Sequence, residues 1–398
     1  MQAKTAAETI GIMRHSPQLI QLGALVSGNL SPQDIPHAMW PAIINLALVH
    51  GLAPMLLWTV KQSSSELITE PLWTPVVSEV RNNAIRYLNL EDARTQVSSA
   101  LEEAHIPALW LKGIALAHTI YPQPVLRGMG DLDVLVPFDQ REDALQVVEG
   151  LGYNQYETDG HLIRPKDNLR FNWIYHYHLR GGIHDTTVLE LHFQLLSTDE
   201  TLLPLKKLPW FWTQTTRTSN GSDFTILRPE AHLLYLSAHA ILQHGESDSS
   251  LRQYFDIHQL ILHSPIDWDK VIEQAKVLGW SYATERALTL TTRYFSTPIP
   301  DTVLAKLQNN RAGDISLTRA MRRRNKGAHW ENILIGFQGL SFTQKIALGL
   351  HIILPPRAYM RSRYGLRSNQ VVWPHYLYRW FDQGREIAWA VWNRIRNR

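Results

Sequence analysis

Residues 131 to 136 run Asp-Leu-Asp-Val-Leu-Val, behind a glycine and in front of Pro137. On a strand, side chains alternate between the two faces. Leu132, Val134 and Val136 therefore point together into a core, and Asp131 and Asp133 point together the other way. Two carboxylates about 7 Å apart on one strand face can share a divalent cation or flank a pair of them. Unpaired, their charges repel, and a bound cation removes that cost. The pattern is weak in isolation, since Asp267-Trp268-Asp269 repeats it where Asp267 is expected only to cap a helix.

The surroundings give it weight. The preceding loop, Tyr121 to Gly130, holds Pro122, Pro124, Gly128 and Gly130, all turn formers. Upstream, Ala108 to Leu111 is a short apolar strand, Lys112-Gly113 turns the chain, and Ile114 to Ile120 forms one or two helical turns. A helix N-terminus with free N–H groups is an anion site. Downstream, Val188 to Leu195 alternates again, with Glu190, His192 and Gln194 on one face and Leu189, Leu191, Phe193 and Leu195 on the other. A solvated strand face accounts for this. The competing reading sets Glu190 beside the Asp131/Asp133 strand as a third carboxylate of a metal site.

The expected organisation is α+β: a mixed sheet core flanked by helical regions. Residues 1–104 form a helical N-terminal region, with helices expected over Pro41 to Trp58 and Leu88 to Ala104. Residues 105–228 carry the α/β core, with a helix from Asp139 to Gly150 and strands at Asn168 to His178 and Thr187 to Leu195. Residues 229–300 form a bundle of four helices, and 301–398 a basic helical tail. With 44% hydrophobic and 19% charged residues the composition is that of a globular protein. The absence of cysteine excludes disulfides, thiolate zinc sites, iron–sulfur clusters and cysteine nucleophiles. The most apolar run, Ile346 to Leu354, covers nine residues, about half a membrane-spanning helix. The N-terminus lacks a signal-peptide layout, so an intracellular, soluble protein is expected. The net charge of +3 hides an asymmetry: from Thr302 to Arg398 there are 17 Lys and Arg against 4 Asp and Glu.

Together, Leu111-Lys-Gly113, then Arg127-x-x-x-Asp131-Leu-Asp133-Val-Leu-Val136, then Glu190-Leu-His192, resemble the nucleotidyltransferase superfold of polymerase-β-like enzymes. Within it they resemble a bacterial family called uncharacterised nucleotidyltransferases. The resemblance extends to the helix Leu251 to His258 and the helix Trp40 to Pro54. It implies transfer of a nucleoside monophosphate from an NTP to the hydroxyl of an unidentified acceptor, whether small molecule, peptide or protein. Asp131, Asp133 and Glu190 would hold one or two Mg²⁺ ions, with Mn²⁺ as a substitute, and Glu190 would also help deprotonate the acceptor. Lys112, Gly113 and Arg127 would contact phosphates, with Arg252 and Asp256 as further nucleotide contacts. The chain departs from the superfold at the turn, where Gly113-Ile114 stands in place of Gly-Ser or Gly-Gly. Asp131→Asn and Asp133→Asn are both expected to leave the fold intact or slightly stabilised, because repulsion is relieved.

Two rival readings accompany this one. A glycosyltransferase also uses Asp-x-Asp to hold a metal–nucleotide-sugar complex. A degenerate domain would dock at an anionic membrane or nucleic acid through the tail and bind no nucleotide. Arg252 and Asp256, at i and i+4, are expected to pair on their helix. Among the 18 histidines, His176-x-His178 share a strand face, and His232, His239 and His244 lie along one helical segment. The +7 and +5 spacing of His232, His239 and His244 is poor for chelation, and the histidines are taken as structural or surface residues. The basic run Arg322 to Lys326 and the helix 374–398, with Trp389 and Trp392 beside arginines, suit packing on the acidic body. Failing that, they suit an anionic membrane surface, and then nucleic acid. The expected location is the cytoplasm, with peripheral attachment at the inner face of the membrane as the second option.

Overall fold

The computed structural model describes residues 17–69, 71–156, 176–196, 208–218, 223–245, 249–310, 354, 360 and 371–381. Four helices come first: α1 (Pro17–Val26), α2 (Trp40–Val49), α3 (Ala53–Ser63) and α4 (Thr74–Glu103). Each of the last three carries proline in its first turn, where the missing N–H costs nothing. The helix expected from Leu88 is thus the second half of a 30-residue one that Pro75 opens.

The core then alternates: β1 (Leu109–Trp110), α5 (Lys112–Thr119), β2 (Leu132–Leu135), α6 (Arg141–Gly150), β3 (Asn154–Gln155), β4 (His176–Gly181) and β5 (Thr187–His192). After α7 (Leu208–Thr213) come β6 (Thr215–Arg217) and β7 (Thr225–Leu227), two short strands that the residue pattern did not announce. The described part of the strand expected at 168–178 begins only at His176 and continues to Gly181. Among the described residues the seven strands make one mixed sheet in the order β3-β4-β5-β2-β1-β7-β6. β2 runs parallel to β5, while β4 is antiparallel to β5 and β1 to β2.

One sheet face buries Trp110, Leu132, Val134, Leu189 and Leu191 against α4, α5 and α6. The other meets helices. These are α8 (Pro229–Ala238), which continues as a π-helical turn from His239 to His244, α9 (Leu251–His263), α10 (Trp268–Leu278), α11 (Ser281–Phe295) and α12 (Asp301–Asn309). Asp267 caps α10, its carboxylate accepting from the Lys270 N–H, as expected. The helices before residue 63 and those after 229 share one continuous apolar core. Gly23 packs so closely on α11 that an added Cβ would fall 2.2 Å from the Tyr294 carbonyl. No helix among the described residues is long and apolar enough to cross a membrane. Residues 373–381 are helical and expose Trp373, Leu377 and Phe381. The run Arg322 to Lys326, Trp389 and Trp392 lie outside the described residues.

Candidate active site

β2 and β5 are register neighbours with Asp133 opposite Glu190, so the two carboxylates stand side by side on one face. Asp131 sits one residue before β2. Burial and the charges of Asp133 and Glu190 push its carboxyl up to about 6. The sheet thus brings the three expected carboxylates together, on the face opposite Leu132 and Val134.

Lys112 enters the same cluster. Its Nζ lies 2.6 Å from Asp133 Oδ1 and 3.7 Å from Glu190 Oε2. Burial pushes the ammonium pKa down, but the combined charges around it, Asp133 first and then Tyr235, Glu190 and Asp131, outweigh burial and hold it well above its usual value. Lys112 is also the first residue of α5 rather than part of a turn before it, and its φ is +42°. A left-handed conformation costs a residue with a Cβ about 1–2 kcal/mol, and here it turns the side chain into the carboxylates.

His192 completes the pairing. Its Nε2 lies 2.9 Å from Asp133 Oδ1 and 3.2 Å from Glu190 Oε2. Burial opposes its protonation, yet the hydrogen bonds to Asp133 and Glu190 win and raise its pKa. Against their own burial, Asp133 is held below its usual range chiefly by Lys112, and Glu190 chiefly by His192.

Two histidines expected to be structural or surface residues join this cluster. Antiparallel pairing sets His178 opposite Glu190 and His176 opposite His192. Burial first, then the neighbouring His192 and His178, keeps His176 well below the usual imidazole pKa. From the helical side, His239 is near enough to Lys112 and Asp133 to feel their charges, though its burial is the larger influence. It opens the π-helical turn, and its ring meets that of His244 edge to face at 4.5 Å between centroids. Such turns recur at functional sites. The shared face of His176 and His178 was legible in the sequence, but its register against β5 was not.

The remaining expected residues form a second group. Arg127 directs its hydrogen bonds to Asp256, Nε and Nη2 donating at 3.0 and 2.8 Å, and Tyr121 donates to the same carboxylate at 2.7 Å; the charge of Asp131 still reaches the guanidinium. Asp256 thus takes Arg127 in place of the expected Arg252. Arg252 donates to the Gly128 carbonyl at 2.5 Å, and its charge reaches Asp131. Gly113 lies under Arg127, where a Cβ would fall 2.6 Å from Nη1.

A family described as "Uncharacterised nucleotidyltransferase" matches residues 36–296. Among solved structures, an antigenic nucleotidyltransferase-like protein from Paracoccidioides brasiliensis aligns at 19% identity. The alignment covers 54% of this chain and 91% of that one, with a TM-score of 0.32. No curated protein matches.

Proposed function

We propose a function from the premise that the chain belongs to the uncharacterised nucleotidyltransferase family: it moves a nucleoside monophosphate from an NTP to an acceptor hydroxyl. The observation that carries this is the convergence of Asp131, Asp133 and Glu190 on one sheet face, two of them in register on parallel strands. The donors suit Mg²⁺, which takes oxygen ligands. Asp131 in particular is an acid driven toward its neutral form by burial and then by the charges of Asp133 and Glu190, and a divalent cation relieves the repulsion. When bound, the ion supplies charge neutralisation at the triphosphate.

The chain's own residues do the rest. Lys112, one side chain from Asp133, supplies a cation for phosphate oxygens at the first turn of α5. Arg252 places a second positive charge on the Asp131 side. Arg127 and Asp256 hold the helical side against the sheet and so position Arg252. Of the two parts expected of Glu190, ligand fits better than base. His192 and Lys112 hold its carboxyl far below its usual range, which makes a good anion and a weak proton acceptor.

One observation favours a second reading. The Lys112 ammonium already neutralises Asp133 and reaches Glu190, which is how a catalytically degenerate domain would satisfy these carboxylates without metal. Calorimetry on the full chain with ATP, CTP, GTP, UTP and UDP-sugars, with and without Mg²⁺, separates the readings. The first requires Mg²⁺-dependent NTP binding that Asp131→Asn abolishes. It also requires Lys112→Ala to weaken binding roughly ten- to hundredfold, the cost of one charged phosphate contact. No NTP binding by the parent chain establishes the second reading, and preference for a sugar nucleotide restores the glycosyltransferase.

A further inference from the structure

The imidazoles on this sheet face have no ligand role in the proposed nucleotide site, where His192 only tunes Glu190. On β4 and β5, His176 stands opposite His192 and His178 opposite Glu190, so three imidazoles and a carboxylate share one side of two neighbouring strands. One ring nitrogen of His176, one of His192 and one oxygen of Glu190 all lie within 4.8 Å of one another. Glu190 divides its oxygens. Oε2 faces His192 at 3.2 Å and Lys112 at 3.7 Å, whereas Oε1 faces His176 at 3.9 Å and His178 at 3.5 Å.

We propose that His176, Glu190 and His192 form a binding site for a borderline divalent transition-metal ion of the Zn²⁺ and Co²⁺ class, beside the oxygen donors Asp131 and Asp133. Imidazole nitrogen suits such ions, while Mg²⁺ takes oxygen. Zn–N bonds of about 2.0–2.1 Å put tetrahedral ligands about 3.4 Å apart, so side-chain rotation of about an ångström closes the group without moving either strand. His192 also has the outer-shell partner that such ligands use: its Nδ1–H donates to the Gln194 carbonyl at 3.3 Å, which aims Nε2 at the site. His176 and His192 are both buried, which holds their rings in place. The site shares Glu190 with the proposed triphosphate site but requires no nucleotide transfer.

The test uses the tag-free full chain, stripped with chelator and titrated with Co²⁺ as the probe. One Co²⁺ per chain is expected, with visible absorption bands, displaced by Zn²⁺ at equal concentration but, since Glu190 is the one shared ligand, only partly by a large excess of Mg²⁺. His176→Ala is expected to weaken Co²⁺ at least about tenfold. Asp131→Asn is expected to leave Co²⁺ affinity unchanged while removing Mg²⁺-dependent NTP binding, so the two sites fail separately. X-ray absorption at the cobalt edge of the unmutated chain covers the case in which the histidine variant does not fold: scattering from two imidazoles is expected. Ligation by oxygen alone, equal displacement by Mg²⁺, unchanged affinity in folded His176→Ala, or no Co²⁺ bound at all overturns the site.

Discussion

Arg127 and Asp256 face each other across the seam between the sheet and the helices after residue 229, guanidinium fork on carboxylate, although 129 residues separate them in the chain. Both are buried, with Asp256 1% exposed. Arg252 lies one helical turn before Asp256 on α9, so the pair also sets where that cation stands relative to Asp131. A contact made for packing thereby fixes a distance inside the candidate site.

Removing one member of a buried, hydrogen-bonded ion pair leaves the other charged without its partner and costs about 3–5 kcal/mol. Asp256→Asn and Arg127→Leu are each expected to lower urea stability by that order. The double replacement Arg127→Met with Asp256→Leu is expected to recover most of it, because no isolated charge then remains. Single variants as stable as the parent would show that the seam is held by its apolar core alone.

Gly113 is the second place where packing limits chemistry. A methyl group there would meet Arg127 Nη1 at 2.6 Å and Met129 Sδ at 2.9 Å, and Asp256 prevents the arginine from yielding. Gly113→Ala is expected to cost about 1–3 kcal/mol as overpacking. Gly130→Ala, with nothing within 4 Å of its new methyl, is expected to stay within about 0.5 kcal/mol of the parent. Equal melting temperatures for the two variants would contradict the close approach.

On the opposite face of the sheet, Glu91 on α4 accepts from Arg94 at 2.6 Å and contacts His118 Nε2 of α5 at 3.0 Å. Burial alone would raise its pKa, yet His118 and Arg94 lower it to about 2. A carboxyl depressed in the folded state adds stability above its unfolded pKa and loses it as pH falls through the folded value. At about 1.4 kcal/mol per pKa unit the ceiling is about 3 kcal/mol, and screening of this partly exposed carboxylate brings the expected contribution to about 1–2 kcal/mol, present above about pH 4.5 and lost toward about pH 2. Glu91→Gln should flatten that part of the acid limb in unfolding measured at pH 3 and pH 6. Parallel pH profiles for parent and variant would show that the cluster adds nothing.

The period-two alternation in 131–136 and 188–195 is a local signal, and it was enough to place Leu132, Val134, Leu189 and Leu191 in one core and Asp133 and Glu190 on the other face. Register is not local. That His178 meets Glu190 and His176 meets His192 depends on how β4 pairs with β5, and histidines at that spacing carry no signature of their own. The pairing of Arg127 with Asp256 was hidden for the same reason: Arg252, four residues away on one helix, was the partner that sequence proximity offered. The start of α5 at Lys112 was missed because a lysine with positive φ contradicts its residue preference. Such conflicts between local preference and fold concentrate where side chains are being aimed.

Asp131 and Asp133 were expected to respond alike to neutralisation, and the structure separates them. Asp131 is an acid whose folded pKa, about 6, lies above its unfolded value, because burial and the charges of Asp133 and Glu190 disfavour its anion. Its ionised form therefore penalises folding. The penalty is absent below about pH 4, grows up to about pH 6 and is constant above it. At about 1.4 kcal/mol per pKa unit the ceiling is about 3 kcal/mol, and partial access to water at the strand end brings the expected value to about 1–2. Asp131→Asn should thus stabilise the metal-free chain by that amount at pH 7.5 and by nothing at pH 4. Asp133 has the opposite sign. Its folded pKa is lowered by Lys112 and His192, so its anion supports folding above about pH 4. Asp133→Asn deprives the Lys112 ammonium of its partner at 2.6 Å, leaving Glu190 at 3.7 Å, and should cost about 3 kcal/mol at pH 7.5. Chelator-treated protein unfolded in urea at the two pH values tests both. Shifts of the same sign at pH 7.5 would mean that Lys112 does not hold Asp133 in solution. Mg²⁺ added back should raise the stability of the parent and leave Asp131→Asn where it was.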